Sequence, residues 1–230
     1  MGNKYLYETH LHTSEGSGCA QIPAAQMARL YYEAGYTGIV ITDHFFWGNT
    51  TVDRDLPWDQ WVENFCKGYE NAKTEGDKIG LKVFFGLEYS YFGADLLTYG
   101  IDKEWLYEND NIMDVSVYEF ISRVHKAEGI VVHAHPFREA DYIKEIKLMP
   151  KWVDGVEVYN AGNYDEAYNT RAKWYAEQYD LPQTAGSDNH HLSSERLSGV
   201  TTEKPLNDIR DYMDAVVDRR LSGLIIPEEG

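Results

Sequence analysis

Histidines are concentrated in four short segments of the chain, and each segment follows or ends a short apolar run. Neutral imidazole is the commonest protein ligand for catalytic metals, and alternate residues of a strand point the same way. A His-x-His pair at a strand end can therefore bind one ion. The pattern predicts a hydrolase with more than one metal ion. Seven of the eight histidines lie in these segments: His10-Leu11-His12, Thr42-Asp43-His44, His133-Ala134-His135-Pro136 and Ser187-Asp188-Asn189-His190-His191.

Apolar strand-like runs alternate with amphipathic helical segments, which is typical of a parallel α/β fold. The chain of 230 residues fits one domain over 1–230, most simply an α/β barrel. Catalytic groups of such barrels collect at the carboxyl ends of the strands. Strands are predicted at 5–10, 38–42, 81–88, 96–101, 130–132, 153–159 and 183–185. Helices are predicted at 23–34, 58–75, 116–128, 165–179 and 207–220, with an acidic loop or lid at 102–114.

Charge and cysteine usage narrow the class of partner. The formal net charge of −17 argues against binding to long nucleic acid or an anionic membrane, which requires clustered Lys and Arg. A small phosphorylated substrate stays compatible, because bound metal ions reverse the local sign of the potential. Cys19 and Cys66 form no disulfide framework or metal knuckle. With no signal-like or membrane-spanning segment, we expect a cytoplasmic protein; its oligomeric state is open.

Five ordered motifs resemble the PHP (polymerase and histidinol phosphatase) domain family, over most of the chain from about His10 to His191. The resemblance implies a distorted seven-stranded (β/α)7, TIM-like barrel. It also implies two or three divalent ions (manganese, zinc or iron) in a phosphoesterase site. The motifs are His10-x-His12, Thr42-Asp43-His44, Gly86-Leu87-Glu88, Ala134-His135-Pro136 and Gly186-Ser187-Asp188-Asn189-His190.

The resemblance also implies a set of metal ligands, in which Glu88 has the two oxygens needed to bridge two ions. The chain departs from the family pattern at two points. Glu15 replaces the usual Asp of a Ser-Asp-Gly element, and Asp95 is the nearest candidate for a His on the strand after Glu88. Asp in place of His favours harder ions such as manganese. The implied ligands that match the family are His10, His12, His44, Glu88, His135, Asp188 and His190.

The expected reaction is attack of a metal-held hydroxide on phosphorus, because coordination lowers the pKa of water towards about 7. Arg138 is a candidate for binding the phosphate, or else it pairs with a surface carboxylate. Asp43 and His191 are candidates for orienting the ligands, although Asp43 is equally a cap. His133 is either a further ligand or a buried neighbour of His135.

An aromatic group follows His44 directly, and we expect at least one ring of Phe45-Phe46-Trp47 to line the site. The others, together with Trp58 and Trp61, fit a packing role. The loops at 45–59 and 91–95 are the candidates for setting specificity. The sequence does not identify the substrate.

Two other classes of function compete with a phosphoesterase. Amidohydrolases and TatD-type deoxyribonucleases also begin with His-x-His and end with an Asp after the last strand. The Thr-Asp-His element, Glu88 and the closing Asp188-x-His190 pair favour the phosphoesterase. A non-catalytic metal-binding module is the third possibility, and the nearly complete ligand set argues against it.

Overall fold

One curved sheet of nine strands runs through the residues that the computed structural model describes, 4–191 and 196–227. Its strands are β1 (Tyr5–Glu8), β2 (Gly38–Ile41), β3 (Lys82–Tyr91), β4 (Ala94–Tyr99), β5 (Ile130–Ala134), β6 (Gly155–Asn160), β7 (Gln183–Gly186), β8 (Gly199–Thr202) and β9 (Gly223–Ile225). Their order in the sheet is β7-β6-β5-β4-β3-β2-β1-β8-β9. The mixed α/β class is therefore confirmed.

The sheet curls into a nearly closed barrel, because the segments after β1 and β7 meet. The backbone N–H of Asp188 donates to the carbonyl of His10 at 2.9 Å, and that of His12 donates to Asn189 at 3.2 Å. The Thr9 hydroxyl donates to the carbonyl of Ala185 at 2.8 Å. We call this contact the seam; it brings the first and last histidine motifs together.

Strand count and direction differ from the prediction. The first seven strands fall where they were expected, but the antiparallel pair of β8 and β9 adds two more beside β1, so the count of seven was wrong for this sheet. The sheet is also not parallel throughout: β4 is antiparallel to both β3 and β5. Its pairing of Tyr91 with Ala94 leaves Phe92 and Gly93 as a two-residue turn. Such a short turn can join only antiparallel strands.

Helices connect the strands and cover the sheet. They are α1 (Ala24–Glu33), α2 (Trp58–Phe65), α3 (Lys67–Ile79), α4 (Lys103–Glu108), α5 (Val117–Lys126), α6 (Glu166–Gln178) and α7 (Ile209–Val217). Side-chain caps start several of them: Ser116 accepts from Glu119 N–H, and Asp165 from Ala167 N–H. The predicted helix at 58–75 is two helices that meet at Cys66, and the predicted loop at 102–114 contains α4.

The main apolar core lies between the helices and the sheet. Phe45, Trp61, Phe65, Leu96 and Phe120 are buried in it. The fully buried Gly-Ile-Val-Ile run of β2 fits a strand with parallel neighbours on both sides. No helix among the described residues is long and apolar enough to cross a membrane.

Candidate metal centre

Five histidines and three carboxylates, from the strands and the segments that follow them, converge in one region of the molecule. In each of four overlapping groups, the potential ligand atoms lie within 4.8 Å of one another. The groups share members, so they form one continuous centre. They are His12, His44 and His190; His10, His135 and Asp188; His10, His12 and Glu88; and Glu88, Asp95 and His135.

Glu88 lies in the middle of this centre and is fully buried. Its Oε1 is 3.1 Å from His135 Nε2 and 3.4 Å from His10 Nε2. Its Oε2 is 2.6 Å from His44 Nδ1 and 3.5 Å from His12 Nε2. The two oxygens therefore face different histidines. β3 continues to Tyr91, so Glu88 lies within the strand and not at its end as predicted.

Asp188 lies at the seam, and its carboxylate contacts the histidines of the centre. Its Oδ1 is 3.1 Å from His12 Nε2 and 3.4 Å from His10 Nε2, while Oδ2 is 3.8 Å from His135 Nε2. Arg138 Nη1 lies 2.7 Å from Oδ2 of the same carboxylate. Burial alone would raise the pKa of Asp188, but His10 and Arg138 hold it well below its usual range.

Hydrogen bonds fix which ring nitrogen of three histidines faces the centre. His10 Nδ1–H donates to Glu157 Oε1 at 2.9 Å, because a carboxylate can only accept. His12 Nδ1–H donates to the Ser17 hydroxyl at 3.0 Å. His190 Nδ1–H donates to the carbonyl of Asp188 at 2.8 Å. In each ring Nε2 is left as the potential metal ligand, and partners of this kind orient metal-binding histidines.

Asp43 lies behind His12. The Ser17 hydroxyl donates to Asp43 Oδ1 at 2.7 Å, and the Thr13 N–H and hydroxyl both donate to this carboxylate at 2.6 Å. Burial raises the pKa of Asp43 to about 6, against the opposing effect of these hydrogen bonds. Asp43 thus contacts a residue that holds His12, which is the location expected of an orienting group.

Two buried polar atoms of the centre show that the residues present fit a bound cation. His44 Nδ1 and Glu88 Oε2 are buried and accept no hydrogen bond from the described residues, although they are only 2.6 Å apart. Burying polar atoms without a partner costs free energy. Imidazole nitrogen and carboxylate oxygen together suit manganese, zinc or iron, so a divalent ion would satisfy both atoms.

Backbone strain coincides with the centre. Among the described residues, five non-glycine residues have positive φ, and two of them are His135 (25°) and Asp188 (52°). Such conformations cost free energy and persist where the surrounding structure imposes them, often at functional sites. Here the strained backbones aim two side chains at Glu88 and His10.

Other sequence-predicted residues have varied locations. Asp95 belongs to the centre through its group with Glu88 and His135. Glu15 is not brought to it: its carboxylate accepts from Ala24 N–H at 2.9 Å, at the start of α1, and from Asn71. His191 is exposed on the rim of the cavity described below. His125 lies on α5, where it pairs with Asp154 at 2.8 Å.

His133 is separate from the four groups and lies against Tyr175, with the ring centroids 5.9 Å apart. Burial lowers its pKa to about 3, so the ring is neutral. Of the two alternatives for His133, this location matches the buried neighbour of His135.

Sequence reasoning missed Glu157 and Glu8. Glu157 lies in β6 and binds the ring of His10 through one oxygen and the backbone N–H of His135 through the other, at 3.0 Å. Glu8 ends β1, accepts from the N–H groups of His10 and Ser187, and has a pKa raised to about 7 by burial. The available signal was an acidic residue inside an otherwise apolar strand.

The centre opens into a cavity of about 1080 Å³. His44, His135 and Asp188 line it, together with Arg138 and Cys19. The Cys19 thiol is half-buried; burial opposes its ionisation, but contacts with His190 and His44 lower its pKa to about 6. Trp47 also lines the cavity, so the prediction that one ring of Phe45-Phe46-Trp47 walls the site is confirmed.

Comparisons with known proteins find similar folds but no sequence relative. No family model and no curated protein matches the chain. A two-domain protein from Bacteroides vulgatus, containing a predicted PHP-like metal-dependent phosphoesterase, superposes with a TM-score of 0.71 at 15% identity over 96% of this chain. This chain spans only 64% of the length of that protein.

Two further structures cover nearly the whole chain. A protein from Bifidobacterium adolescentis, provisionally described as a metal-dependent phosphoesterase, has a TM-score of 0.58 and 17% identity over 95% of this chain and 98% of its own. PsfC from Pseudomonas syringae has a TM-score of 0.55 and 18% identity over 96% and 89%. Identities this low establish the fold alone. The chain therefore has the fold of the PHP-like metal-dependent phosphoesterases.

Proposed function

We propose that this chain is a metal-dependent phosphoesterase that hydrolyses a small phosphorylated metabolite or nucleotide. The observation that carries the proposal is the position of Glu88. Each of its oxygens faces a different pair of histidines, and it belongs to two ligand groups at once. A carboxylate between two groups of donors is the arrangement expected of a bridge between two ions. Two-metal sites of this kind are common in phosphatases and nucleases.

The donor groups support two or three ions. One would be held by His10, His12 and Glu88, and a second by Glu88, Asp95 and His135. The group of His12, His44 and His190 offers a third site. When bound, divalent ions supply Lewis-acid activation of water and neutralise charge on the phosphoryl group.

Arg138 is the proposed phosphate-binding side chain. Its Nε donates to Asn163 at 2.9 Å, its Nη2 to Asn160 at 2.8 Å, and its Nη1 pairs with Asp188 at 2.7 Å. Among the described residues, these contacts use three of the five N–H groups of a guanidinium. The remaining two can donate to a phosphoryl oxygen from a side chain that is already held in place.

Glu157 and Asp43 are the proposed orienting residues. Glu157 holds the ring of His10 and the backbone of His135, and Asp43 holds Ser17 against His12. Outer contacts of this type keep ligand rings aligned and raise their basicity. They also fix the proton on the outward-facing nitrogen of each ring, so Nε2 stays available.

Metal analysis of the purified protein tests the proposal, combined with hydrolysis of p-nitrophenyl phosphate in added manganese. We expect two or three divalent ions per chain and turnover that a His12→Ala variant loses. His125→Ala is the matched control, because His125 lies on α5 away from the centre. Its metal content and activity should equal those of the unaltered protein.

The alternatives give different results. Absence of bound metal would remove the basis of the proposal. Stoichiometric metal without cleavage of any phosphoester would favour the amidohydrolase-like alternative. Equal losses in His12→Ala and His125→Ala would show a general effect of removing a histidine and not the loss of a ligand.

A further inference from the structure

The cavity beside the metal centre is larger and more aromatic than a phosphate group requires. Ligand pockets commonly measure about 300–1000 Å³, and this one is about 1080 Å³. Rings from three separate loops and one strand line it. We call these residues the aromatic wall: Trp47, Tyr89, Tyr91, Phe92 and Tyr142.

Much of the aromatic wall is exposed although its members are large. Trp47 is 57% exposed, Phe92 82% and Tyr142 75%. Exposed aromatic side chains grouped around one opening are uncommon on a protein surface without a binding role. Here they open directly onto the side of the metal centre.

The rings are held in place by specific contacts. Trp47 Nε1–H donates to the carbonyl of Met113 at 3.1 Å, which fixes the plane of the indole. Lys147 Nζ lies 4.7 Å above the ring of Tyr91. In the turn between β3 and β4, a Cβ on Gly93 would lie 2.2 Å from the carbonyl oxygen of Glu145, so the turn packs tightly on that segment. Lys147 N–H also donates to Gly93 at 3.1 Å.

The charges around the cavity restrict what the rings can bind. Among the described residues that line it, Arg138 is the one side chain from Lys or Arg, and it is already paired with Asp188. Asp114, another lining residue, adds negative charge to the cavity. Among the described lining residues, a second phosphate or a carboxylate on the substrate would find no Lys or Arg besides Arg138. Lys147, which lies over the ring of Tyr91, is paired with Glu145 at 3.6 Å.

We infer that the substrate is an ester with one phosphate group, whose alcohol carries a flat, uncharged ring system that packs on Trp47 and Phe92. The inference rests on the proposed function and specifies its substrate class. Hydrolysis would break the P–O bond to the alcohol. Water supplies a hydroxyl to phosphorus and a proton to the leaving oxygen, which releases inorganic phosphate and the ring-bearing alcohol.

Matched esters test the preference. In the manganese-loaded protein, kcat/KM for 1-naphthyl phosphate should exceed that for glycerol 2-phosphate. Stacking on one aromatic side chain is typically worth a factor of about ten. Trp47→Ala should therefore lower the naphthyl value about tenfold and leave the glycerol value within about twofold. The value of kcat/KM for adenosine 5′-monophosphate, compared with that for 1-naphthyl phosphate, shows whether the site prefers a ring bonded directly to the ester oxygen or one attached through a sugar.

Three other variants support the comparison. Trp47→Phe should retain most of the preference. Trp174→Ala removes an indole of similar exposure, 53%, from α6 outside the cavity and should change nothing. Phe92→Ala provides an independent test at a turn residue whose side chain is 82% exposed, so its loss leaves the core intact.

Equilibrium dialysis of 1-naphthol, the product alcohol, separates this inference from the proposed function because binding needs no turnover. We expect saturable binding that Trp47→Ala weakens about tenfold and Trp174→Ala does not. No binding, or equal binding by Trp47→Ala and the unaltered protein, would overturn the inference even if the protein is a phosphatase. Binding without hydrolysis of any ester would overturn the assignment of the ring-bearing molecule as a substrate.

Discussion

The metal-binding floor of the site and its aromatic wall are built in different ways. The floor consists of side chains that are at most 6% exposed and come from strands or the residues directly after them: His10, His12, Glu88, His135 and Asp188. The wall comes mainly from loops, and Phe92 is 82% exposed. Buried side-chain hydrogen bonds orient the ligands of the floor, such as His10 and His12, whereas contacts between exposed loops hold much of the wall.

Because of this difference, we expect the floor to determine catalysis and the wall to determine substrate selectivity. A floor on buried strands holds its ligand atoms in place before an ion arrives, and such preorganisation favours catalysis. A wall on loops can change its residues without disturbing the sheet. Substitutions in the floor should therefore abolish turnover of every substrate. Substitutions in the wall should alter which substrate is preferred.

Glu88→Gln should have the largest effect. It replaces the carboxylate shared by two ligand groups with a neutral amide. Loss of several kcal/mol of charge stabilisation corresponds to a fall of about a thousandfold in kcat/KM for any phosphoester. Metal analysis and steady-state kinetics measure the change, with the exposed Glu203→Gln as control. Unchanged metal content together with normal turnover would show that Glu88 is not a ligand.

Glu8→Gln should alter how stability depends on pH. Below pH 4.5 the carboxyl is protonated in both states. Its folded pKa is raised to about 7, so between pH 4.5 and 7 the unfolded state loses the proton first and folding stability falls. The full pKa shift corresponds to a loss of up to about 3 kcal/mol in the free energy of unfolding. Urea unfolding of the metal-free protein should show that the Gln variant lacks this decline.

The control for this variant is Glu33→Gln, at the exposed end of α1, which should keep the normal pH profile. A Glu8→Gln profile parallel to that of the unaltered protein would contradict the predicted burial of a protonated Glu8. Because Glu8 accepts from the backbone N–H of His10, the experiment also tests whether this contact stabilises the segment that carries His10.

Glu157→Gln should have an intermediate effect. It weakens the bond that holds the ring of His10 but leaves every member of the four ligand groups in place. Removing an outer partner of a metal-binding histidine typically costs 10–100-fold in metal affinity or activity. Titration with manganese should show this loss, and the exposed Glu177→Gln should not. Equal affinities would show that Glu157 does not position His10.

Arg54→Lys should have the smallest effect and one confined to the wall. Arg54 Nε donates to the carbonyl of Phe46 at 2.6 Å and Nη2 to that of Gly48 at 2.7 Å, so it holds the loop that carries Trp47. Lysine cannot make both contacts with the same geometry. We expect the ratio of naphthyl to glycerol ester turnover to fall about threefold. Arg210→Lys, at an exposed pair with Glu128, should leave the ratio unchanged.

The sequence predicted the floor better than the sheet that carries it. Histidine spacing at strand ends is a local signal that indicated a metal site, and the family resemblance implied every member of the four ligand groups, Asp95 included. Glu15 lies elsewhere because the start of α1 offers its carboxylate an N–H at 2.9 Å. Whether the carboxylate of Glu15 contacts the start of α1 or an ion depends on the geometry of the loop, which the spacing of residues along the sequence does not show.

The direction of β4 and the residues that orient the ligands, such as Glu157, were harder to predict from the sequence. β4 is antiparallel because a two-residue turn joins it to β3, but the segment around Phe92 reads equally well as a longer loop. β8 reads Gly-Val-Thr-Thr, which lacks an apolar run, and β9 is only three residues long, so neither gives a clear strand pattern. Glu157 contacts His10 only after strands far apart in the chain are brought together. The aromatic wall needed the fold for the same reason, since its rings come from separate loops.

The seam also has a consequence for the order of events during synthesis on the ribosome. Bonds across it join residues 176 and 179 positions apart, so they cannot form until the segment that contains Ala185 and Ser187 has emerged. His10 and His12 are made well before Asp188 and His190, which complete two of the four groups. Contacts so distant in sequence slow folding. All four groups can therefore be complete only after the ribosome has passed His190 and the seam has closed.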